Sequence, residues 1–456
     1  MTAPGPHAMA REGRCIGCGG CVVQTPAGHA AMQFDRYGQL RPVGTRRWNA
    51  AAADVVAQTC PFASGVANED TLAADLFPDA PSHDAATGRY VAAYVGNAAE
   101  LDYRDRGSSG GLVSWFACEL LRTGRVDAVA HVHACEDPSE SGRLFEYRLS
   151  RSEADVAGGS GSRYYPVEMS GVLRTMLDEP GRYAVVGIPC FIKAVQLMRR
   201  RHPTLRKRVV HTMGLFCGHM KSARFADSLA WQMGAEADDV RHVDFRRKHP
   251  ERAANQYHAE IVLRDGRTLG RDWWPLVDGD WGAGFFMDAA CNLCDDVMAE
   301  TADISFGDAW VEPYSSDWRG HNVVVVRTHD LDAMLRQARD AGRIALEPVD
   351  ADVVAATQAA GLRQRREGLS YRLSRIADAP PKRVPPDARA APPPRRRIYA
   401  LRAANSRWSH RMFALARVTR LHAIYLLWAR AAITVYHAFA YRRGRLGAFV
   451  SRLGLG

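Results

Sequence analysis

From Tyr90 onward, short apolar runs alternate with stretches whose apolar residues recur at helical spacing. Tyr90-Val-Ala-Ala-Tyr-Val reads as a strand, Gly110 to Leu121 as a helix, and Val126-Asp-Ala-Val-Ala-His-Val as the next strand. Ser170 to Leu177 reads as a helix, and Tyr183-Ala-Val-Val-Gly-Ile as a strand running into Pro189-Cys190. Phe191 to Arg201 is then helical, and Val209 to Phe216 is another apolar run. Such alternation predicts βαβ units and a substantially parallel sheet. His258 to Leu263 and Thr268 to Gly270 flank Asp265-Gly266, the mark of an antiparallel hairpin, and Val323 to Thr328 reads as a late strand. Upstream the pattern differs. Residues 1–13 read as disordered, residues 14–66 carry a cysteine cluster and little apolar core, and a polar, alanine-rich connection runs to about Ser82.

Composition narrows the class. The chain has 456 residues, of which 47% are hydrophobic and 24% charged, which suits a soluble globular protein of roughly three domains. These values exclude a wholly disordered chain, a collagen and a multi-span membrane protein. The net charge of +10 hides an asymmetry. Pro381 to Gly456 holds 16 Lys and Arg against one acidic residue, Asp387, so the rest of the chain is mildly acidic. A basic tail on an acidic body points to an anionic partner for the tail. Met1 to Arg14 contains no apolar stretch of the kind a secretory signal needs, so a cytoplasmic protein with reduced thiols is expected. Ten cysteines then read as metal ligands or redox groups rather than disulfides.

Cys15-Ile-Gly-Cys18-Gly-Gly-Cys21 is the sharpest signal. Three thiolates at this spacing wrap one corner of an iron–sulfur cube, and the glycines let the backbone approach the sulfides. In a bacterial ferredoxin run a fourth cysteine follows and precedes a proline; here Thr25-Pro26 stands in that place. In two-cluster ferredoxins that fourth cysteine serves the other cluster. Loss of one cluster would leave a remote Cys-Pro, and Cys60-Pro61 fits that remnant. Cys15, Cys18, Cys21 and Cys60 are therefore expected to hold one [4Fe–4S] cluster. Structural zinc, which favours two separated cysteine pairs, is the alternative.

Cys291-Asn-Leu-Cys294 is a second, weaker pair. Cys190 and Cys217 end adjacent apolar runs, and the ends of neighbouring parallel strands converge on the ligand side of an α/β sheet. All four either meet there as a second metal site, or Cys190 and Cys217 are buried small hydrophobes. Cys118 and Cys135 take the latter reading. Gly107-Ser108-Ser109-Gly110-Gly111 precedes a helix, either as a phosphate cradle or as an ordinary cap. His219, beside Cys217, is a candidate proton donor because a free imidazole titrates near neutrality.

The ferredoxin-like Cys15 to Pro61 region, Ser108-Ser-Gly-Gly111, Gly187-Ile-Pro-Cys190, Phe216-Cys217-Gly, and Cys291-x-x-Cys294 with Ala302-Asp-Ile-Ser-Phe-Gly-Asp-Ala-Trp310 occur in a telling order. Over roughly residues 14–330 the chain resembles the family made up of the beta subunits of coenzyme F420-reducing hydrogenases and dehydrogenases, which includes ferredoxin-dependent chlorophyll-pathway reductases. The resemblance implies an iron–sulfur flavoprotein: a ferredoxin-like [4Fe–4S] module at 14–66, and a mixed α/β flavin domain in two parts, 88–178 and 179–345. It also implies FAD, a second cluster at Cys190, Cys217, Cys291 and Cys294, and electron exchange between a ferredoxin or other redox partner and a small organic substrate or an F420-like deazaflavin. Ser108, Ser109, Gly110 and Gly111 would then touch phosphate. Arg163 and Tyr164, in Gly161-Ser-Arg-Tyr, match a family segment in which Arg163 would pair with phosphate or a substrate acid. Lys248, in Phe245-Arg-Arg-Lys, matches another, and Asp308 is suited to ribityl hydroxyls or a flavin edge. The rival from another class is a non-catalytic zinc-binding scaffold tethered to a membrane.

The basic tail is not part of the family pattern. Residues 380–397, with seven prolines and six Lys and Arg, predict an extended, solvated linker. Residues 398–456 predict a basic helical appendage. Leu421 to Tyr441 is mostly apolar, but Arg430 falls in its middle. An interfacial helix on the anionic inner face of the membrane suits this pattern, with docking on a protein and spanning as the other readings. No nucleic-acid reader motif accompanies the charge, so nucleic acid is not expected.

Overall fold

The computed structural model describes residues 4–26, 28–377 and 379–453. At its centre lies an eight-stranded mixed sheet. Its strands are β1 (Ala92–Ala98), β2 (Ala128–Ala134), β3 (Phe145–Ser150), β4 (Tyr183–Gly187), β5 (Val209–Leu215), β6 (Ile304–Asp308), β7 (Asn322–Val326) and β8 (Ile344–Pro348). They lie in the order β8-β1-β7-β6-β5-β4-β2-β3. β2, β4, β5 and β6 run parallel, and the four flanking pairings are antiparallel. The sheet is thus less parallel than the alternating pattern predicts. β2–β3 and β6–β7 pair consecutive strands, whereas β1 pairs with β7 and β8 from more than 200 residues along the chain, and local periodicity does not report such pairings. The parallel strands are buried on both faces, which is why they read as continuous apolar runs.

Helix α1 (Leu112–Arg122) covers one face through Leu112, Trp115, Phe116 and Leu120. Helix α2 (Pro189–Arg201) covers the other. Proline at its start suits the first helical turn, where an N–H has no partner to lose. A separate antiparallel sheet of Val240–Arg247, His258–Leu263 and Thr268–Asp272 packs on that second face.

The N-terminal segment is better ordered than its composition suggests. Residues Pro6–Arg11 form a helix that buries Pro6 and Met9. The cysteine module that follows has a small core of its own, with Val22, Met32, Leu40, Trp48 and Ala52 beneath the strands Ala30–Phe34 and Leu40–Gly44.

Residues 380–397 are not a solvated spacer. Lys382 and Arg383 are buried, and Arg383 pairs with Glu300 at 2.6 Å and Asp70 at 3.0 Å. Lys193 pairs with Glu69 at 3.0 Å in the same acidic pocket. Burying carboxylates is tolerable only with cations beside them, and the proline-rich strap supplies two.

The C-terminal residues are integrated rather than appended. Helices α3 (Pro393–Thr419) and α4 (His422–Tyr441) pack against each other and onto the body, and α5 (Gly444–Arg452) packs on α4. Phe413 is fully buried, its ring 4.2 Å from Trp231 and 5.1 Å from Tyr425. Tyr425 donates its hydroxyl to Asp278 at 2.8 Å. Phe413→Ala is expected to cost about 3–5 kcal/mol, from lost burial plus the cavity left behind, read as a fall in the urea midpoint. An unchanged midpoint would mean that the helical pair does not contribute to the cooperative unit.

His410 of α3 is buried between Gln39, its Nε2 partner at 3.3 Å, and the Ser406 carbonyl at 2.8 Å from Nδ1. Burial is the main reason its pKa falls from 6.5 to about 4; the bond to the Ser406 carbonyl, then Asp288 and Asp35, oppose this only in part, and Arg41 adds to it. A histidine depressed in the fold stabilises fully above its unfolded pKa and loses that contribution as pH falls toward about 4. Acidification across that window is expected to reduce hydrogen-exchange protection in residues 405–416, after correction for intrinsic rates. Constant protection would refute the assignment.

Candidate redox site

Both four-cysteine groups assemble where the parallel strands end. Cys15, Cys18, Cys21 and Cys60 line one cavity. The loop that carries the first three is held by long-range bonds. The Met169 N–H donates to the Cys18 carbonyl at 3.0 Å, and Arg41 donates to the Cys15 carbonyl and to Asp288 at 2.9 Å. Gly19 lies at φ 82°, and a Cβ there would sit 2.6 Å from the Glu168 carboxylate, so both conformation and space demand glycine.

Cys190 opens α2 just past β4, Cys217 follows β5, and Cys291 and Cys294 sit in and after the short 3₁₀ helix Ala289–Leu293. Burial, then the charges of Cys294, Cys217 and Cys291, hold the Cys190 thiol well up. Burial alone dominates at Cys217, pushed up to about 12, and at Cys60, also about 12. Burial is the first cause at each of the four thiols, and neighbouring cysteines add to it at Cys190, Cys217 and Cys291. Cys18 also acts on Cys190, and Tyr147 feels both, so the two sets are neighbours. Among the described residues no three His, Cys, Asp or Glu side chains close around the position of a single metal ion. Cys118 and Cys135 are buried away from both sets.

Three cations without any signature in the sequence surround the second set. Arg365 is buried and donates to the carbonyls of Cys217 at 3.1 Å, Gly218 at 2.8 Å and Cys291 at 3.4 Å. Burial works against its charge, and the four cysteines, Cys294 foremost, outweigh burial and hold its pKa above the ordinary value. Arg402, from α3, donates to the Gly282 carbonyl at 3.1 Å and approaches His219 Nδ1 at 3.2 Å. Lys221 donates to the Phe285 carbonyl at 2.6 Å and lies 4.6 Å from the Trp281 ring, and burial lowers its pKa to about 7. Arg365 and Arg402 arrive from distant segments, and Lys221, four residues after Cys217, sits in no recognisable motif.

His219 does not meet the requirement for a proton donor near neutrality. It is buried and stacked on Trp281 at 4.2 Å. Burial, then Lys221, Arg402 and Arg365, hold its pKa well below 6.5, so the ring is neutral. Its Nε2 has no hydrogen-bond partner.

The expected flavin residues meet in part. The Ser162 N–H donates to Ser108 Oγ at 2.7 Å, Ser109 Oγ donates to the His321 carbonyl at 2.8 Å, and Lys248 Nζ donates to the carbonyls of Arg104 and Ser109. Burial, then Arg104, lowers the Lys248 pKa to about 8. Asp308 is paired with Arg246 through two bonds of 2.9 and 3.0 Å. Gly110 packs so closely on the sheet that a Cβ would lie 2.6 Å from the Gly96 carbonyl, and Asn322 already accepts from the Leu112 N–H at 3.0 Å. The glycines therefore serve backbone packing, whatever else the loop binds. Arg163 does not reach this loop: it donates to the Ser160 carbonyl at 2.6 Å and lies over the Phe145 ring at 5.1 Å. Tyr164 joins an aromatic wall, with Trp281 at 4.7 Å and Trp273 at 5.5 Å, between the serine loop and the second cysteine set. Beside that loop Arg246 Nε and His321 Nδ1 are buried and lack a well-formed hydrogen bond among the described residues. Hydroxyls, a lysine and unspent buried N–H donors beside an aromatic wall fit an anionic, planar cofactor.

A mixed α/β sheet that gathers two neighbouring four-cysteine sets at its parallel strand ends is the architecture of a redox protein. Two family models match, both for the beta subunit of coenzyme F420 hydrogenase/dehydrogenase: its N-terminal domain over residues 93–174 and its C-terminal domain over residues 181–352. Together they span more than half of the chain, and the protein belongs to that family. It is 24% identical over 348 residues to one of the subunits of the F(420)H(2) dehydrogenase of Methanosarcina mazei, covering 73% of this chain and 85% of the relative. Its fold is similar to a chain of the F420-reducing [NiFe] hydrogenase complex from Methanosarcina barkeri, with TM-score 0.50, 15% identity, and 66% of this chain and 98% of that one covered.

Proposed function

We propose that the protein is an iron–sulfur flavoprotein oxidoreductase. It exchanges electrons between a ferredoxin or similar redox partner, two [4Fe–4S] clusters and FAD, and reduces or oxidises an organic substrate or an F420-like deazaflavin. The observation that carries this reading is the pair of adjacent four-cysteine sets, the first half-buried and the second mostly buried, linked through the neighbouring positions of Cys18 and Cys190. The relatives, one a component of an F420H2 dehydrogenase and the other of a hydrogenase complex, support a redox role within an assembly.

Bound, the clusters and flavin would supply one-electron and two-electron exchange respectively. The chain's own residues do the rest. Cys15, Cys18, Cys21 and Cys60 would hold one cluster, and Cys190, Cys217, Cys291 and Cys294 the other. Arg365 offsets the negative charge of the second set and ties two of its backbone segments together. Ser108, Ser109 and Lys248, with Arg246 and His321, would hold the anionic part of FAD. Tyr164 and Trp281 exclude water between that site and Cys217. Neutral His219 orients Trp281 and Arg402 rather than passing protons to bulk water.

Anaerobic purification with iron, sulfide, zinc and flavin assayed together tests the reading. About eight irons and one FAD per chain are expected. Stoichiometric zinc without iron or flavin would overturn it in favour of the zinc-binding scaffold.

A further inference from the structure

The outward surface of the C-terminal helices has a chemistry of its own. Beyond Asp387 no acidic residue occurs, while α3, α4 and α5 with their connections carry thirteen arginines. One of these, Arg402, is turned inward. On α5, Gly447 and Val450 are buried, whereas Leu446, Phe449 and Leu453 are 38%, 57% and 53% exposed. Spacings of three and four put those three on one face of the helix, with Arg445 and Arg452 along its flank. On α3, Trp408, Leu415 and Val418 form a second exposed stripe at spacings of seven and three, with Arg411 stacked on Trp408 at 5.2 Å. A soluble surface rarely groups large apolar side chains in this way.

We propose that this face docks on an anionic lipid bilayer, with Leu446, Phe449 and Leu453 seated among the acyl-chain ends and the arginines at the phosphates. Charge complementarity selects the occupant. An apolar stripe flanked by arginine and lacking any carboxylate matches a negatively charged bilayer surface, whose interior takes the stripe and whose headgroups take the cations. A nucleic acid would use the charge and leave Phe449 and Leu453 in water. Spanning is opposed by the anchors of α4. It is long and apolar enough to cross a membrane. Yet Tyr425 is bonded to buried Asp278 at 2.8 Å and His437 to Asp280 at 2.9 Å. Pulling α4 into a bilayer would break both of these bonds to buried carboxylates. The body therefore rides on the surface, with the second cysteine set beside the tail helices. Docking of this kind does not depend on which metal the cysteines hold.

Full-length protein is sedimented with phosphatidylcholine vesicles, with and without about one-third phosphatidylglycerol. At least about tenfold tighter binding to the anionic vesicles is expected, weakened by added salt. The double variant Leu446→Glu and Phe449→Glu, at exposed positions that leave the fold intact by circular dichroism, is expected to lose about tenfold or more of that binding. Equal binding of variant and parent, or no anionic preference, overturns the proposal. Salt-sensitive binding to duplex DNA with none to vesicles also overturns it, and so does capture by a redox partner protein that the double variant abolishes while vesicles are ignored.

Discussion

Cys217→Ser is expected to remove about half of the iron, from about eight to about four per chain, and to slow partner-driven reduction of substrate by more than about 100-fold. Cys217 sits just past β5, and its carbonyl is fastened by Arg365, so the serine variant keeps the backbone while losing one sulfur. The first set rests on a module with its own core around Trp48 and Leu40, joined to the surroundings of the second set through the Arg41–Asp288 pair. Cys15→Ser is the mirror experiment and removes the other four irons. Iron and sulfide counts with low-temperature EPR of the reduced protein separate the outcomes. Loss of all iron from either variant would mean that the sets do not fill independently. Full iron in Cys217→Ser would remove Cys217 from the ligand set.

Arg365→Met is expected to lower the reduction potential of the Cys190–Cys294 centre by about 100 mV. A cation about 6 Å away, acting through an effective dielectric of about 20, is worth about 3 kcal/mol. For a one-electron couple that energy corresponds to about 120 mV. The sign follows from charge: reduction adds an electron to an already negative centre, and Arg365 is the buried cation closest in bonding to it. Arg365→Lys keeps the charge and loses the planar fork, so its potential is expected within about 30 mV of the parent. Redox titration followed by EPR reads both. Identical potentials in the Lys and Met variants would assign Arg365 to holding the loops of Cys217 and Cys291 together rather than to tuning. Absence of any iron–sulfur signal in the parent would instead refute the proposed function itself.

Much of the molecule is legible in the sequence wherever the determinant is local. The Cys15–Cys21 loop is legible because its cysteines and glycines lie within a few bonds of one another. The strands β1, β2, β4, β5 and β7 and the helices α1 and α2 are legible because apolar periodicity reports which face is buried, whereas β3, short and half-polar, is not. Cys190 and Cys217 are readable together, since both follow strands that had to be parallel neighbours. The cations are not. Arg365 and Arg402 reach the second cysteine set from helices beyond residue 352, where the family models end. Lys382 and Arg383 look solvated in a proline-rich stretch and are instead buried against Asp295 and Glu300. His219 has the sequence context of a proton donor, and its burial beside Lys221 and Arg402 leaves it neutral.

The sequence by itself determined the family, the α/β class, the two groups of cysteines and the charge contrast between body and tail, because spacing, periodicity and composition are properties of neighbours along the chain. Only the tertiary structure decided that the sheet is mixed, that the tail helices close over the second cysteine set, and which buried charges face which sulfurs. Those outcomes rest on desolvation and Coulomb interactions between residues far apart in sequence, and such interactions have no value until packing sets their distances and excludes water.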